Sequence, residues 1–200
     1  PVRFISNHSS GKMGASLART AWYRGAEVSV ITGPAQVPPP HGSRVINVVS
    51  AEEMYEAALS EAPFQDVIVM AAAVGDFRPS SFSKDKIKRK GEQSLFLEMK
   101  QNRDIAAALG AARKPGQFLV GFAAETDNAM ENAREKLEKK GLDQIVVNEV
   151  GSPEGAFGAD RNSVSILDGR GMLSTFEGTK DEVAEVIWDA VAQGRKDRGR

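Results

Sequence analysis

The stretch DVIVMAAAV, residues 66–74, is a nearly continuous run of apolar residues. A strand that helices cover on both faces shows this pattern, because neither row of its alternating side chains meets water. Similar apolar runs occur in FLVGFAA, residues 118–124, and in QIVVNEV, residues 144–150. These three segments predict parallel strands buried between two layers of helices.

Segments with helical periodicity alternate with the apolar runs. Met13, Leu17 and Ala21 recur every four residues, which predicts a helix that ends near Gly25. Ser50 precedes the helical segment AEEMYEAALSEA and is predicted to cap it. Asn102 is predicted to cap RDIAAALGAARK, with Asp104 in the first turn of that helix. Two more helices are predicted, over residues 128–140 and over KDEVAEVIWDAVAQ, residues 180–193.

The segment SVSILDGRGMLSTFE, residues 163–177, places a DGRG turn between two alternating runs and predicts a hairpin. SLFLEMK, residues 94–100, alternates like a strand. The sequence thus predicts an α/β fold: a doubly wound, mostly parallel, Rossmann-like sheet with an antiparallel hairpin near the C-terminus. Residues 1–194 are predicted to form one domain, and residues 195–200 a disordered basic tail.

The amino-acid composition limits the kinds of ligand and catalytic site that this chain can have. The 200 residues include 26 basic and 27 acidic side chains, which favours a small anionic ligand over nucleic acid. Cysteine is absent, so thiolate nucleophiles and cysteine-bound metals are excluded. With two histidines, a Ser-His-Asp triad and a histidine zinc site are disfavoured. No apolar run approaches the roughly 18 residues of a membrane span. Positioning and charge must therefore carry the chemistry.

The opening segment PVRFISNHSSGKMG, residues 1–14, matches no complete phosphate-binding motif. A Walker A loop fails because Ser6 and Met13 stand where it needs glycine and a hydroxyl residue. The dinucleotide fingerprint lacks its first glycine at Ser9, and no acidic residue ends the next strand. An NAD-dependent reductase is therefore a weak alternative.

The same segment leads directly into a helix, whose first N–H groups and dipole favour an anion. Ser9, Ser10, Gly11 and Lys12 are candidates for such a site. The alternative is that Ser9 or Ser10 merely caps the helix and that Gly14 allows close packing. The local sequence leaves both interpretations open.

Further candidates follow the apolar strands. Three alanines at residues 71–73 either leave room for a flat ligand or allow a helix to pack tightly on the sheet, and Asp76 suits a ribose hydroxyl or a metal ion. The basic segment 84–90 is interpreted as a closing flap beside an anion site, or as a solvated loop. Lys136 and Lys140 share a helical face without an acidic residue three or four positions earlier, which favours either a ligand phosphate on this face or two solvated lysines near the C-terminus of the helix.

In this order, ISNHSSGKMG, AAAVGDFRP, KIKRK, NRDIA, VGFAAET, VVNEV and FGADRNSVSIL closely resemble phosphopantothenoylcysteine synthetase, a phosphopantothenate–cysteine ligase. The resemblance spans nearly the whole chain. It implies that CTP and Mg²⁺ are used to join 4′-phosphopantothenate to L-cysteine through an acyl-cytidylate. It also implies a cytoplasmic homodimer without nucleic-acid or membrane partners, commonly fused in bacteria to an N-terminal flavin-dependent decarboxylase domain.

The resemblance also assigns residues. Asn7 and Lys86 are implied in catalysis, Arg103 stands where many members have proline, and Asp76 is the possible metal ligand. The implied CTP contacts are Met70, Ala71, Ala72, Asp76, Lys86, Arg103, Asp104, Ile105, Ala106, Phe122, Lys136 and Lys140. The implied or candidate phosphate and substrate contacts are Arg3, Asn7, Ser9, Ser10, Gly11 and Lys12.

Family members normally carry another strand and a glycine-rich turn before PVRFISN. We therefore expect the first strand of the family's sheet to be missing from this chain. Besides the ligase and the reductase, a non-catalytic nucleotide-binding module stays open, since it would use the same pockets.

Overall fold

The computed structural model describes residues 5–7, 9–81, 96–125, 128–149 and 161–199. The helices in these ranges are α1 Lys12–Tyr23, α2 Ala51–Glu61, α3 Ile105–Ala112, α4 Ala129–Lys139 and α5 Lys180–Arg198. The strands are β1 Ser29–Thr32, β2 Arg44–Asn47, β3 Val67–Met70, β4 Phe77–Pro79, β5 Met99–Gln101, β6 Phe118–Glu125, β7 Gln144–Glu149, β8 Arg161–Asp168 and β9 Gly171–Thr179.

A five-stranded sheet with the order β3-β6-β7-β8-β9 forms the centre of the fold. β3, β6 and β7 are parallel. β8 and β9 form the antiparallel hairpin that the DGRG turn predicts. The predicted fold class is therefore confirmed. The parallel strands do not all join one ladder, since β1 and β2 pair only with each other in the part of the chain described.

Helices cover both faces of the five-stranded sheet. Alternation along β6 assigns the faces: Phe118 and Val120 point into a core shared with α1 and α5, in which Leu17 and Ile187 are buried. Leu119, between them, belongs to the opposite core, which α3 and α4 complete. Burial on both faces is what the continuous apolar runs predict.

One predicted helix cap is confirmed and the other is wrong. Ser50 is the N-cap of α2, and its Oγ accepts a hydrogen bond from the amide of Glu53 at 3.2 Å. For α3 the N-cap is Asp104 rather than Asn102, because Asp104 Oδ1 accepts from the amide of Ala107 at 3.0 Å. The Asn102 side chain instead donates to the carbonyl of Gly75 at 2.7 Å.

Residues 195–198, predicted to be disordered, instead continue α5. The sequence suggests an end at Gly194, but there the absence of a side chain allows close packing. A Cβ on Gly194 would lie 2.8 Å from the ring of Phe118. Arg198 then forms an ion pair with Asp143, whose side chain is only 1% exposed. The buried partner explains why the last turn is ordered.

The segment predicted as a strand over residues 94–100 is shorter in the structure. β5 covers Met99–Gln101, and residues 94–95 lie outside the described ranges. β5 pairs antiparallel with β4, which the sequence does not predict. Among the helices described, none is long and apolar enough to cross a membrane.

Candidate functional site

The opening segment meets the loop that follows β3. Nδ2 of Asn7 donates to the carbonyl oxygen of Val74 at 3.4 Å, across 67 residues of sequence. Asn7 and Ala72 are exposed, whereas Met70 and Ala71 are half-buried. Met70 packs toward the α3/α4 core, and Ala71 toward the α1/α5 core. The carboxyl end of β3 is thus open beside the Asn7 amide.

The start of α1 depends on Gly11, its N-cap, which has a φ of 74°. A Cβ there would lie 2.7 Å from Cβ of Ala35, so both backbone and space require glycine. Ser9 and Ser10 accept long hydrogen bonds from the amides of Gly11 and Lys12, at 3.5 and 3.4 Å. Neither serine is the N-cap, so the capping alternative is wrong in its simple form. Gly11, the N-cap, offers no side-chain cap to the start of α1, although the amide of Lys12 contacts the Ser10 hydroxyl.

Among the described residues, the space beside Gly14 is open. A Cβ on Gly14 would meet no atom of these residues within 4 Å, so the alternative that this glycine allows close packing against them is wrong. A helix start whose N-cap residue has no side chain keeps the first-turn N–H groups after Lys12 available to an anion.

Replacing Gly14 with alanine should therefore be tolerated. We expect the free energy of unfolding to stay equal or to rise by up to about 1 kcal/mol, because alanine has the higher helix propensity. Urea unfolding measures this. A loss of stability above about 1 kcal/mol would show that the glycine does make a close contact.

Asn102 joins the loop after β3 to the turn before α3. Its amide donates to the carbonyl of Asp76 at 2.7 Å, and its Nδ2 to the carbonyl of Gly75 at 2.7 Å. Its Oδ1 accepts from Nη1 of Arg78 at 2.6 Å. Two segments that the sequence singles out, AAAVGDFRP and NRDIA, therefore lie side by side.

Arg103, the first residue of the turn, faces α2. Its Nη1 donates to Oε1 of Glu52 at 2.9 Å, and its guanidinium carbon lies 3.5 Å from the ring centre of Tyr55. Ile105 packs on the α3/α4 core, and Ala106 is half-buried. The sequence offers no signal for Glu52 or Tyr55, because both read as ordinary positions of an amphipathic helix.

Lys140 has a counter-charge from another helix. Its Nζ lies 3.2 Å from Oδ2 of Asp104, the N-cap of α3. The lack of an acidic residue three or four positions earlier therefore does not leave Lys140 without a counter-charge, because α3 supplies one. Lys136 lies one turn earlier, on α4, and is half-buried.

The Asp104 carboxylate is stabilised in its charged form. Desolvation raises its pKa, but hydrogen bonds from the amides of Ala107 and Ala106 and the ammonium group of Lys140 together bring the pKa below its usual value. The carboxylate thus occupies the start of α3 and neutralises Lys140. A phosphate that binds Lys140 must compete with Asp104.

Not every predicted site residue reaches this edge. Phe122 packs on the opposite face of the sheet from α3 and α4, against the α1/α5 core. Arg3 and Lys86 lie outside the described residues. Cavities of about 280 and 320 Å³ lie around Gln144, at the start of β7, and therefore at the opposite end of the strands.

Asp76 is the candidate for a metal ligand. Its carboxylate is exposed and makes no hydrogen bond or ion pair with a described residue. The described residues contain no group of three or more metal-ligating side chains. Mg²⁺ in phosphate-transfer sites needs only one or two carboxylates, since substrate phosphates and water fill its other positions. A single free carboxylate fits that requirement.

The fold and the site define a Rossmann-like α/β protein whose polar residues gather at the carboxyl edge of its parallel strands. Residues 1–195 match the family described as the DNA/pantothenate metabolism flavoprotein C-terminal domain, and the chain belongs to this family.

Named relatives agree with this assignment. The chain is 45% identical over 189 residues to a cysteine/cysteine sulfinic acid decarboxylase from an unknown prokaryotic organism, covering 94% of this chain and 52% of that protein. It is 43% identical over 202 residues to the coenzyme A biosynthesis bifunctional protein CoaBC of Mycobacterium bovis, covering 96% and 48%. The chain spans about half the length of these curated relatives.

A solved structure shares the fold. The crystal structure of the C-terminal domain of a coenzyme A biosynthesis bifunctional protein CoaBC superposes with a TM-score of 0.80 at 34% identity. The match covers 98% of this chain and 89% of that domain.

Proposed function

We propose that this chain is the phosphopantothenate–cysteine ligase of coenzyme A biosynthesis and that it uses CTP to join 4′-phosphopantothenate to L-cysteine. Membership of the family and the likeness to CoaBC support the proposal. The structural observation that carries it is the contact of Asn7 with the loop after β3. Asn102 ties that same loop to the turn at Arg103, so an acyl group and a nucleotide would meet there.

The reaction needs no nucleophile from the protein. The carboxylate of 4′-phosphopantothenate attacks the α-phosphorus of CTP, and pyrophosphate leaves. The amine of cysteine then attacks the acyl carbon of the acyl-cytidylate, and CMP leaves. The protein must hold anions in line and stabilise the charge that develops on phosphorus. A chain without cysteine and with two histidines is compatible with such chemistry.

The residues at the carboxyl edge of the parallel strands would have separate roles in this reaction. Asn7 would orient the acyl group, while the start of α1, with Ser9, Ser10 and Lys12, would hold a phosphate. Lys136 and Lys140 would bind the triphosphate, for which Lys140 exchanges Asp104 for a phosphate oxygen. Arg3 is assigned to phosphopantothenate by family resemblance alone. Phe122 is assigned to CTP on the same basis.

Asp76 would hold Mg²⁺ together with phosphate oxygens. The metal ion, when bound, neutralises phosphate charge and favours attack at phosphorus.

We further propose that the chain acts in the cytoplasm as a homodimer, within a longer polypeptide that carries a flavin-dependent decarboxylase domain. Analytical ultracentrifugation tests the dimer, and a single species with the monomer mass would contradict it.

Lys86 is proposed to neutralise the α-phosphate in the transition state. We expect Lys86→Gln to slow acyl-cytidylate formation by about 30- to 100-fold, since two unit charges about 4 Å apart interact by roughly 4 kcal/mol at an effective dielectric constant of about 20 and solvent weakens this. Single-turnover formation of the adduct measures the effect. A matched Lys114→Gln variant, at a lysine whose Nζ donates to the Pro63 carbonyl, should react normally. Unchanged formation in Lys86→Gln would remove this role.

Pyrophosphate release tests the proposed function. CTP, Mg²⁺, 4′-phosphopantothenate and cysteine should together yield pyrophosphate, CMP and the ligated product, and omission of either organic substrate should stop turnover. CTP binding without pyrophosphate release would favour the non-catalytic module. Fluorescence quenching by NADH, without response to CTP, would favour the reductase.

A further inference from the structure

Glu52, in the first turn of α2, contacts two arginines of the candidate site through its two carboxylate oxygens. Oε1 accepts from Nη1 of Arg103 at 2.9 Å, and Oε2 lies 3.2 Å from Nη2 of Arg78. The Glu52 side chain is 35% exposed. A single ion pair at this exposure contributes little, but a shared carboxylate links several charges into a network with fixed geometry.

The ring of Tyr55 contacts the planar face of the Arg103 guanidinium. Tyr55 lies three residues after Glu52, so both side chains stand on one face of α2. The Arg103 guanidinium carbon is 3.5 Å from the centre of the Tyr55 ring, within the range of a cation–π contact. The hydrogen bond that Arg103 donates to Glu52 raises the pKa of Arg103 above its ordinary value. Glu52 thus holds the edge of the Arg103 guanidinium, and Tyr55 holds its face.

Arg78 extends the network to the loop after β3. Its Nη1 donates to Oδ1 of Asn102 at 2.6 Å, and Asn102 in turn donates to the carbonyl of Gly75. One carboxylate on α2 therefore constrains both the turn that begins at Arg103 and the loop that Asn7 contacts. No other described acidic residue bridges these two segments.

We propose that Glu52 is a positioning residue of the nucleotide site, which fixes Arg103 and Arg78 so that the two segments keep their spacing for a nucleoside triphosphate. This rests on the proposed function. In this role Glu52 would act through the two arginines and not by contact with the ligand. Glutamine at this position has one acceptor oxygen instead of two, and its amide group would face a second guanidinium donor. Glu52→Gln therefore keeps the shape of the side chain but breaks the bridge.

Calorimetric titration of CTP tests the proposal. We expect Glu52→Gln to raise the Kd and the KM for CTP about tenfold, with kcat and the KM for cysteine within twofold of wild type. Glu56→Gln is the matched control, since Glu56 is exposed one turn later on α2 and contacts neither arginine. It removes the same charge and should change the CTP Kd less than twofold. Equal CTP affinities of Glu52→Gln and Glu56→Gln would overturn the proposal.

A double-mutant cycle distinguishes positioning from a long-range charge effect. If Glu52 acts through Arg103, the effects of Glu52→Gln and Arg103→Gln on the CTP Kd should be clearly non-additive. Additive effects would overturn the proposal.

Amide hydrogen exchange separates the proposal from the function on which it rests. In the ligand-free protein, exchange of the amides of residues 103–107 should quicken in Glu52→Gln but not in Glu56→Gln. Unchanged exchange would overturn the positioning role. If exchange is faster in Glu52→Gln but the wild-type chain binds no CTP, the proposed function is overturned. Glu52 is then a structural bridge only.

Discussion

Replacing Gly110 with alanine is expected to lower the free energy of unfolding by about 3 kcal/mol or more. A Cβ on Gly110 would lie 1.9 Å from the carbonyl oxygen of Lys140 and 2.9 Å from its carbonyl carbon. Both atoms belong to the backbone, so no change of rotamer relieves the overlap. α3 must then move away from the turn after α4. The better helix propensity of alanine, about 1 kcal/mol, is too small to compensate.

Urea unfolding of the Gly110→Ala and Gly14→Ala variants measures the change in the free energy of unfolding. Gly14→Ala is the matched control, because it makes the same substitution in a helix at a position where the added Cβ would meet no described atom within 4 Å. The two substitutions should therefore have opposite or clearly different effects on the unfolding midpoint. A Gly110→Ala midpoint at or above that of wild type would contradict the close packing of α3 on Lys140. The same displacement would also separate Asp104 from Lys140, whose charged atoms are 3.2 Å apart.

Replacing Asn7 with alanine is expected to slow formation or use of the acyl-cytidylate by about 10²- to 10³-fold, the range seen when a preorganised polar group at a reacting centre is lost. Asn7 is exposed, and its Nδ2 makes one long hydrogen bond, 3.4 Å, to Val74. Such a bond contributes little to stability, about 1 kcal/mol at most. The remaining N–H and the Oδ1 atom make no hydrogen bond to a described residue, so they can orient an acyl group. Activity should therefore fall while the fold is retained.

Rapid-quench measurements separate the two half-reactions of this variant. Adduct formation is followed with CTP and 4′-phosphopantothenate alone, and its use is followed after cysteine is added. Ser6→Ala is the control, since Ser6 is the exposed neighbour whose Oγ donates to the backbone carbonyl of Asn7 at 3.2 Å. It should react within twofold of wild type. Normal rates of both half-reactions in Asn7→Ala would remove Asn7 from catalysis.

Local signals in the sequence predict most of the fold. Apolar runs at residues 66–74 and 144–150 contain β3 and β7, the run at 118–124 covers all of β6 except Glu125, and Ser50 marks the start of α2. Cap prediction fails where two suitable residues lie close together. Asn102 and Asp104 both favour an N-cap, and the choice depends on Gly75, a partner distant in sequence.

The structural role of a glycine can likewise depend on residues that are distant in sequence. Gly194 suggests a helix end, but in the structure it provides space for Phe118 inside α5. Gly110 looks like an unfavourable helix position, yet it allows α3 to approach the backbone at Lys140. Neither contact leaves a periodic signal in the sequence, because the partner residues are far away along the chain.

The candidate site was predictable in part. The segment AAAVGDFRP is singled out by its position after an apolar strand, since parallel strands end at one edge. Asn7 and the segment NRDIA are assigned to the site only by the family resemblance. The charge partners were not predicted, because Lys140 pairs with Asp104 of α3 and Arg103 with Glu52 of α2. Side-chain pairing within one helix can be read from spacing, whereas pairing between helices depends on the packing of the whole fold.

The most direct test of the ligase function is a single-turnover experiment with CTP labelled at the α-phosphorus. The chain, Mg²⁺ and 4′-phosphopantothenate without cysteine should release about one equivalent of pyrophosphate and retain the label as an acyl-cytidylate. Added cysteine should then convert this adduct to 4′-phosphopantothenoylcysteine and labelled CMP. Bound CTP that yields neither pyrophosphate nor adduct, before or after cysteine is added, would contradict the proposed function.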